Sequence, residues 1–201
     1  MLALGLTGSI ATGKSTVLEM FAGLGVPVFS ADAAVHELYR GAAVPLVAEL
    51  FPEIVHNGEI DRQALGRIVL ADPAALKCLE AAVHPLVRAR IAAFLATAQS
   101  TGAPLAVVDI PLLFESGHDY GLDRVAVAVV DPRIARARAL ARPGMDGEKL
   151  DAILARQLPQ AEKRRRADHV IDTGGPRETT RAAVAALVAT LTAEAKARTA
   201  P

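Results

Sequence analysis

The sequence predicts an α/β fold: a five-stranded parallel sheet covered by helices. Three observations predict it. Residues Gly8 to Ser15 read GSIATGKS, the pattern G-x-x-x-x-G-K-S. That pattern describes a loop whose backbone N–H groups wrap the phosphates of a nucleotide. A short apolar run, Leu2–Thr7, precedes the loop, and a helical pattern with Val17, Met20, Phe21 and Leu24 on one face follows it. Strand, loop and helix in that order are the context the motif requires. Five apolar runs separated by helical patterns then complete the picture of a parallel sheet. Together these specify a P-loop NTPase fold with a helical substrate-binding insertion and a helical lid.

The first element is the strand over Leu2–Thr7. Gly8 and Gly13 let the loop turn and approach phosphate without a Cβ in the way. The helix N-terminus beyond Gly13 offers unpaired N–H groups and a favourable dipole to an anion. Lys14 supplies a mobile charge to the outer phosphates. The Ser15 hydroxyl is the expected magnesium ligand, because that ion takes oxygen ligands and keeps several waters. The loop therefore implies a nucleoside triphosphate such as ATP, with Mg2+.

The later strands are expected at 27–30, 105–110, 125–130 and 169–172. In such sheets ligands sit at the carboxyl ends of strands. Asp32, Asp109, Asp131 and Asp172 therefore have first claim on function. Asp32 can accept or orient a proton, or cap the helix expected near Ala33; the two readings are compatible. Asp109 stands where this nucleotide-binding class keeps a magnesium-organising aspartate.

Between the second and third strands, residues 33–103 read as several helices punctuated by Pro45, Pro52, Asn57-Gly58 and Asp72-Pro73. This is the expected helical region for the second substrate. His84 lies within it, where a lone histidine is more often structural. The stretch 131–157 reads as two helical segments about Pro143-Gly144, and residues 133–166 are the expected mobile lid. Arg138 and Arg142, four apart, would share a helical face there, and a guanidinium fork matches phosphate oxygens. The remaining segments, 1–32, 104–132 and 167–201, form the expected nucleotide-binding core.

Composition excludes several classes. Lys plus Arg equals Asp plus Glu at 22 each, so nothing argues for nucleic-acid wrapping. The run KRRR at 163–166 reads as a solvated helix end near an anionic ligand. One cysteine, Cys78, excludes an internal disulfide, fits a reducing compartment and reads as a core or half-buried thiol. No run approaches about 20 apolar residues, so no membrane span is expected. The start reads as a strand rather than a signal peptide. The terminal AKARTAP reads as a frayed end. A cytoplasmic chain, monomeric or weakly homo-oligomeric, is expected. The single asparagine, Asn57, rules out the N-K-x-D guanine-reading motif and with it a GTP switch.

Several separated segments resemble the dephospho-CoA kinase family. They are LGLTGSIATGKST at 4–16, SAD at 30–32, GEIDRQALGRIVL at 58–70 and LEAAVHPLV at 79–87. VVDIPLLFESG at 107–117, RALARPG at 138–144, ILARQ at 153–157 and ADHVIDTGG at 167–175 follow in family order. The resemblance implies ATP-dependent phosphorylation of the ribose 3′-hydroxyl of dephospho-CoA, giving coenzyme A and ADP. It implies that Ala11, Thr12, Gly13, Lys14, Ser15 and Thr16 contact the ATP phosphates. It makes Asp32 the candidate base and sets Asp109 near the reacting hydroxyl or magnesium. Arg138 and Arg142 become lid arginines, and His84, Leu113 and Phe114 border the substrate. Thr173 replaces the usual Asn of this family and is expected near the adenine. Ser30 replaces an aspartate, and Ser9, Ala11 and Thr12 replace Gly, Gly and Ser. The alternative is another P-loop small-molecule kinase, of the nucleoside monophosphate or shikimate type.

Overall fold

The computed structural model describes residues 1–56 and 58–199. It divides into two compact units, residues 1–29 with 95–201 and residues 30–94.

The first unit carries the parallel sheet. Strand β1 (Leu2–Thr7) is buried at all six positions, as a central parallel strand covered on both faces must be. Helix α1 (Lys14–Gly23) follows the phosphate loop, and β2 (Val28–Ser30) runs up to the unit boundary. The later strands are β5 (Leu105–Asp109), β6 (Arg124–Val129) and β7 (His169–Asp172), numbered in chain order with β3 and β4 of the second unit. The sheet order is β2-β5-β1-β6-β7. β1 pairs in parallel with β5, Leu4 opposite Val107, and with β6, Gly5 opposite Val125. β6 pairs in parallel with β7. All five expected strands form, within one residue at either end.

The core of this unit joins Leu2, Leu4 and Leu6 of β1 to Val17, Met20 and Phe21 of α1. Val184, Leu191 and Ala195 of the C-terminal helix complete that cluster. Leu24 departs from the expected face: it caps α1 in a non-helical conformation and is 44% exposed.

The second unit holds α2 (Ala31–Leu38), α3 (Val44–Leu50), a 3₁₀ turn at Pro52–Ile54, β3 (Val55–His56), β4 (Glu59–Ile60) and α4 (Arg62–Ala71). It also holds most of α5 (Pro73–Ser100), which runs on past Phe94 into the first unit. Pro85 lies inside α5 without ending it. The antiparallel pair β3–β4 corrects the all-helical expectation for this stretch. Gly58 adopts φ 78° between the strands, a conformation glycine reaches without a Cβ penalty. Asn57 lies outside the described residues.

After β6 the first unit continues with α6 (Pro132–Leu140), α7 (Gly147–Ala155) and α8 (Gln160–Arg166), and after β7 with α9 (Arg177–Thr199). The expected frayed end is helical through Thr199; Ala200 and Pro201 lie outside the described residues. Cys78 is exposed on α5, correcting its reading as a core or half-buried thiol, while its neighbour Leu79 takes the buried position. Among the described residues no helix is long and apolar enough to cross a membrane.

Candidate active site

The phosphate loop joins the carboxyl end of the central strand to the N-terminus of α1. Gly13 precedes α1 with φ 80° and no side-chain cap, which leaves the first-turn N–H groups available to an anion. A Cβ on Gly8 would lie 2.7 Å from the Thr12 hydroxyl and 2.8 Å from the Ala128 carbonyl oxygen, and the backbone contact is one that no side-chain movement relieves. Ala11 is the one described non-glycine residue with positive φ, 61°. The residue is 7% exposed and packs with Ala139 of α6 and Leu150 of α7.

Side chains hold the loop from several directions. Thr12 turns its own hydroxyl back to the Ser9 carbonyl at 2.8 Å. Thr173, one residue past β7, donates its hydroxyl to the Thr12 carbonyl at 2.6 Å. Gln157 accepts the Ile10 N–H at 3.0 Å. Lys14 is paired with Asp109, whose carboxylate ends β5 and is 3% exposed. The lysine that would meet the outer phosphates is thereby oriented by the aspartate of the neighbouring strand.

A cavity of about 330 Å³ opens beside the loop. Ala11, Gly13, Thr16, Arg138, Arg142 and Thr173 are among its lining residues. Arg138 donates to the Thr173 carbonyl at 3.0 Å. α6 stops at Leu140 with its cap at Ala141, so Arg142 lies in the following turn and not on a helical face shared with Arg138. The turn nonetheless brings both arginines to one cavity. Met20, Gly175, Arg177 and Thr180 also line it. The sequence reading missed Arg177 and Thr180; the signal available was their position just beyond the segment 167–175.

Asp131 caps α6, accepting the Arg133 N–H at 2.8 Å, and the Arg133 guanidinium beside it holds its carboxyl below the usual range. Asp172 accepts the Gly174 N–H at 2.8 Å and closes a turn. Leu113 is buried, and a Cβ on Gly5 would meet its side chain at 3.0 Å, so it is turned onto β1. Phe114 beside it is half-buried and Ser15 is exposed. In the second unit, Asp32 is exposed in the first turn of α2, and His84 is exposed on α5. The cap of α2 is Ser30, whose hydroxyl accepts the Ala33 N–H at 3.3 Å, so Asp32 does not serve as cap. Serine is among the preferred N-cap residues, which suits Ser30 to that place.

The KRRR run also divides. Arg164, Arg165 and Arg166 are exposed, but Lys163 is fully buried and lies 2.8 Å from Glu115 Oε1. This corrects its reading as part of a solvated helix end: helical spacing turns the first of the four inward.

No group of three or more His, Cys, Asp or Glu side chains able to hold a metal exists among the described residues. The oxygens offered, the Ser15 hydroxyl and the Asp109 carboxylate, suit an ion held chiefly by phosphate and water. Magnesium is such an ion.

The dephospho-CoA kinase family model matches residues 2–178. A dephospho-CoA kinase from Rhodopseudomonas palustris (strain BisB18) is 53% identical over 189 residues, covering 94% of this chain and 95% of its own. One from Brucella melitensis is 51% identical over 199 residues, covering 99% and 100%. Among solved structures, TT1252 from Thermus thermophilus superposes with a TM-score of 0.82 at 37% identity, covering 94% of this chain and 97% of that one. The dephospho-CoA kinase from Campylobacter jejuni gives a TM-score of 0.66 at 27% identity, covering 94% and 96%. The family model spans most of the chain and curated relatives are more than half identical over nearly its full length, and on that basis the chain belongs to the dephospho-CoA kinase family.

Proposed function

We propose that the chain transfers the γ-phosphoryl group of ATP to the ribose 3′-hydroxyl of dephospho-CoA, giving coenzyme A and ADP. One observation carries the reading: a phosphate loop with Lys14 fixed by Asp109, beside a cavity lined by Arg138 and Arg142, in a chain matched by one kinase family over residues 2–178.

Phosphoryl transfer asks the protein chiefly for positioning and charge neutralisation. The loop N–H groups and the first turn of α1 hold the phosphates of ATP. Lys14 neutralises charge that grows on the transferred group, and Asp109 keeps its ammonium aimed. Arg138 and Arg142 approach the nucleotide from residues 133–166, which act as a lid and exclude water. Thr173 keeps the loop in register and borders the nucleotide. Ser15 and Asp109 would hold magnesium, which when bound would neutralise phosphate charge.

On the acceptor side, Asp32 takes the proton of the 3′-hydroxyl or orients that hydroxyl for attack. It is a free carboxylate in the sense that helix capping falls to Ser30. The family resemblance assigns residues 33–103, including His84, to binding of dephospho-CoA, and separately Leu113 and Phe114 to its border. The reaction belongs in the cytoplasm, where ATP and the acceptor are available.

A coupled ADP-release assay with Mg-ATP and dephospho-CoA, AMP, CMP or shikimate tests this reading. Turnover with dephospho-CoA well above the other three is expected. Preference for any of the others would replace it with the alternative P-loop kinase.

A further inference from the structure

Lys163 and Glu115 form a buried ion pair that the reaction as described does not use. The Lys163 side chain is 0% exposed and Glu115 is 13% exposed. Burying an ammonium is unfavourable unless it is closely paired, and apolar residues of similar volume often serve stability as well or better. What charged groups add at such a place is direction.

The directions here converge on one turn. Lys163 Nζ sits 2.8 Å from Glu115 Oε1 and donates to the Pro111 carbonyl at 3.3 Å. The same carbonyl accepts the Thr7 hydroxyl at 3.1 Å. Glu115 Oε1 also accepts the Leu158 N–H at 2.8 Å. The turn from Pro111 to Glu115 is thus held at its first residue and at its last. Its anchors are the end of β1, one residue before Gly8, and the segment 158–163 that follows α7. Between the anchors stand Leu113 and Phe114. None of Thr7, Pro111, Glu115, Leu158 and Lys163 lines the cavity that holds Arg138 and Arg142, although Leu158 lines a second cavity against Ser9, Ile10 and Thr12 of the loop.

We infer that Glu115 and Lys163 are positioning residues for the acceptor: their pair fixes the 111–115 turn against the phosphate-loop strand and so sets where the 3′-hydroxyl is presented. The inference rests on the proposed kinase reading. It predicts effects confined to the acceptor, because the pair touches the turn and not the nucleotide cavity.

The test is the Glu115→Gln, Lys163→Met double variant, which removes both charges and leaves neither buried alone. Its thermal unfolding and its KM for ATP are measured alongside initial rates across dephospho-CoA concentrations. Cooperative unfolding, a KM for ATP within about twofold of the parent and kcat/KM for dephospho-CoA lowered about ten- to hundredfold are expected, since small misplacements of reacting groups cost on that order. An unchanged kcat/KM for dephospho-CoA, or equal losses for both substrates, overturns the inference. Should the double variant not fold, Thr7→Val decides by the same comparison. It deletes one hydrogen bond to the Pro111 carbonyl, and about a fivefold loss on the acceptor side alone is expected. The parent enzyme is run in parallel: if it does not turn over dephospho-CoA, the kinase reading fails, whereas a working parent with unaffected variants fails only the positioning role.

Discussion

Thr173 ties the edge of the sheet to the phosphate loop: its hydroxyl donates to the Thr12 carbonyl at 2.6 Å across 161 residues of sequence. Its N–H donates to the Val129 carbonyl at 2.9 Å, and its own carbonyl accepts from Arg138 at 3.0 Å. One residue therefore touches the loop, the sheet and a cavity arginine. Thr173→Val keeps the shape and deletes the hydroxyl. The Thr12 carbonyl loses that donor, so stability should fall by about 1–2 kcal/mol. A severalfold rise in KM for ATP with little change in KM for dephospho-CoA is expected from steady-state kinetics.

Gly8 is constrained by backbone. A Cβ there would meet the Ala128 carbonyl oxygen at 2.8 Å and the Thr12 hydroxyl at 2.7 Å. Gly8→Ala should shift the loop away from β6, lower the unfolding temperature and weaken ATP binding by at least tenfold. Gly102→Ala is the comparison: its Cβ would meet nothing, although φ of 76° strains it by about 1–2 kcal/mol. Nucleotide affinity that stays normal in Gly102→Ala but falls in Gly8→Ala separates close approach from backbone strain.

Asp123 governs part of the acid sensitivity of the first unit. Partial burial pushes its carboxyl upward, but the Ala3 N–H and the Arg198 guanidinium outweigh that and hold it below the usual range. A carboxyl with a depressed folded-state pKa stabilises above its unfolded value of about 3.9 and loses that contribution as pH falls through the folded value. Asp123→Asn should therefore cost about 0.5–1 kcal/mol at neutral pH, discounted for solvent screening. Its stability should change less than the parent's between pH 5 and pH 2. Urea unfolding at several pH values measures both.

Much of this was legible in the chain because periodicity and turn chemistry act locally. The five strands read as apolar runs, and Gly8 to Ser15 announced their ligand class. What sequence could not show depends on distant partners. The β3–β4 pair is only two residues on each strand, too short for alternation to register. Asp131 and Asp172 look like Asp109 as residues at strand ends, yet the first caps a helix and the second closes a turn. Lys163 looked solvated because its partner Glu115 lies 48 positions earlier in sequence. Arg177 and Thr180 reach the cavity through the placement of α9. Periodicity alone says nothing of that placement.

Asp32→Asn removes the proposed proton acceptor and keeps the side-chain volume. Because Ser30 caps α2, the helix should survive, with unfolding within about 0.5 kcal/mol of the parent. General base catalysis contributes typically about 10²–10⁴-fold, so kcat should fall on that order while KM for ATP holds. Retained turnover would take Asp32 out of the chemistry.

The passage of one phosphoryl group from ATP to one hydroxyl of dephospho-CoA is read most directly from the products. Purified protein should be incubated with Mg-ATP and dephospho-CoA, and the products resolved chromatographically and assigned by phosphorus NMR. ADP and coenzyme A in equal amounts are expected, with the new monophosphate on the ribose 3′ oxygen. ADP without a phosphorylated acceptor, or phosphate on another position, would contradict that transfer.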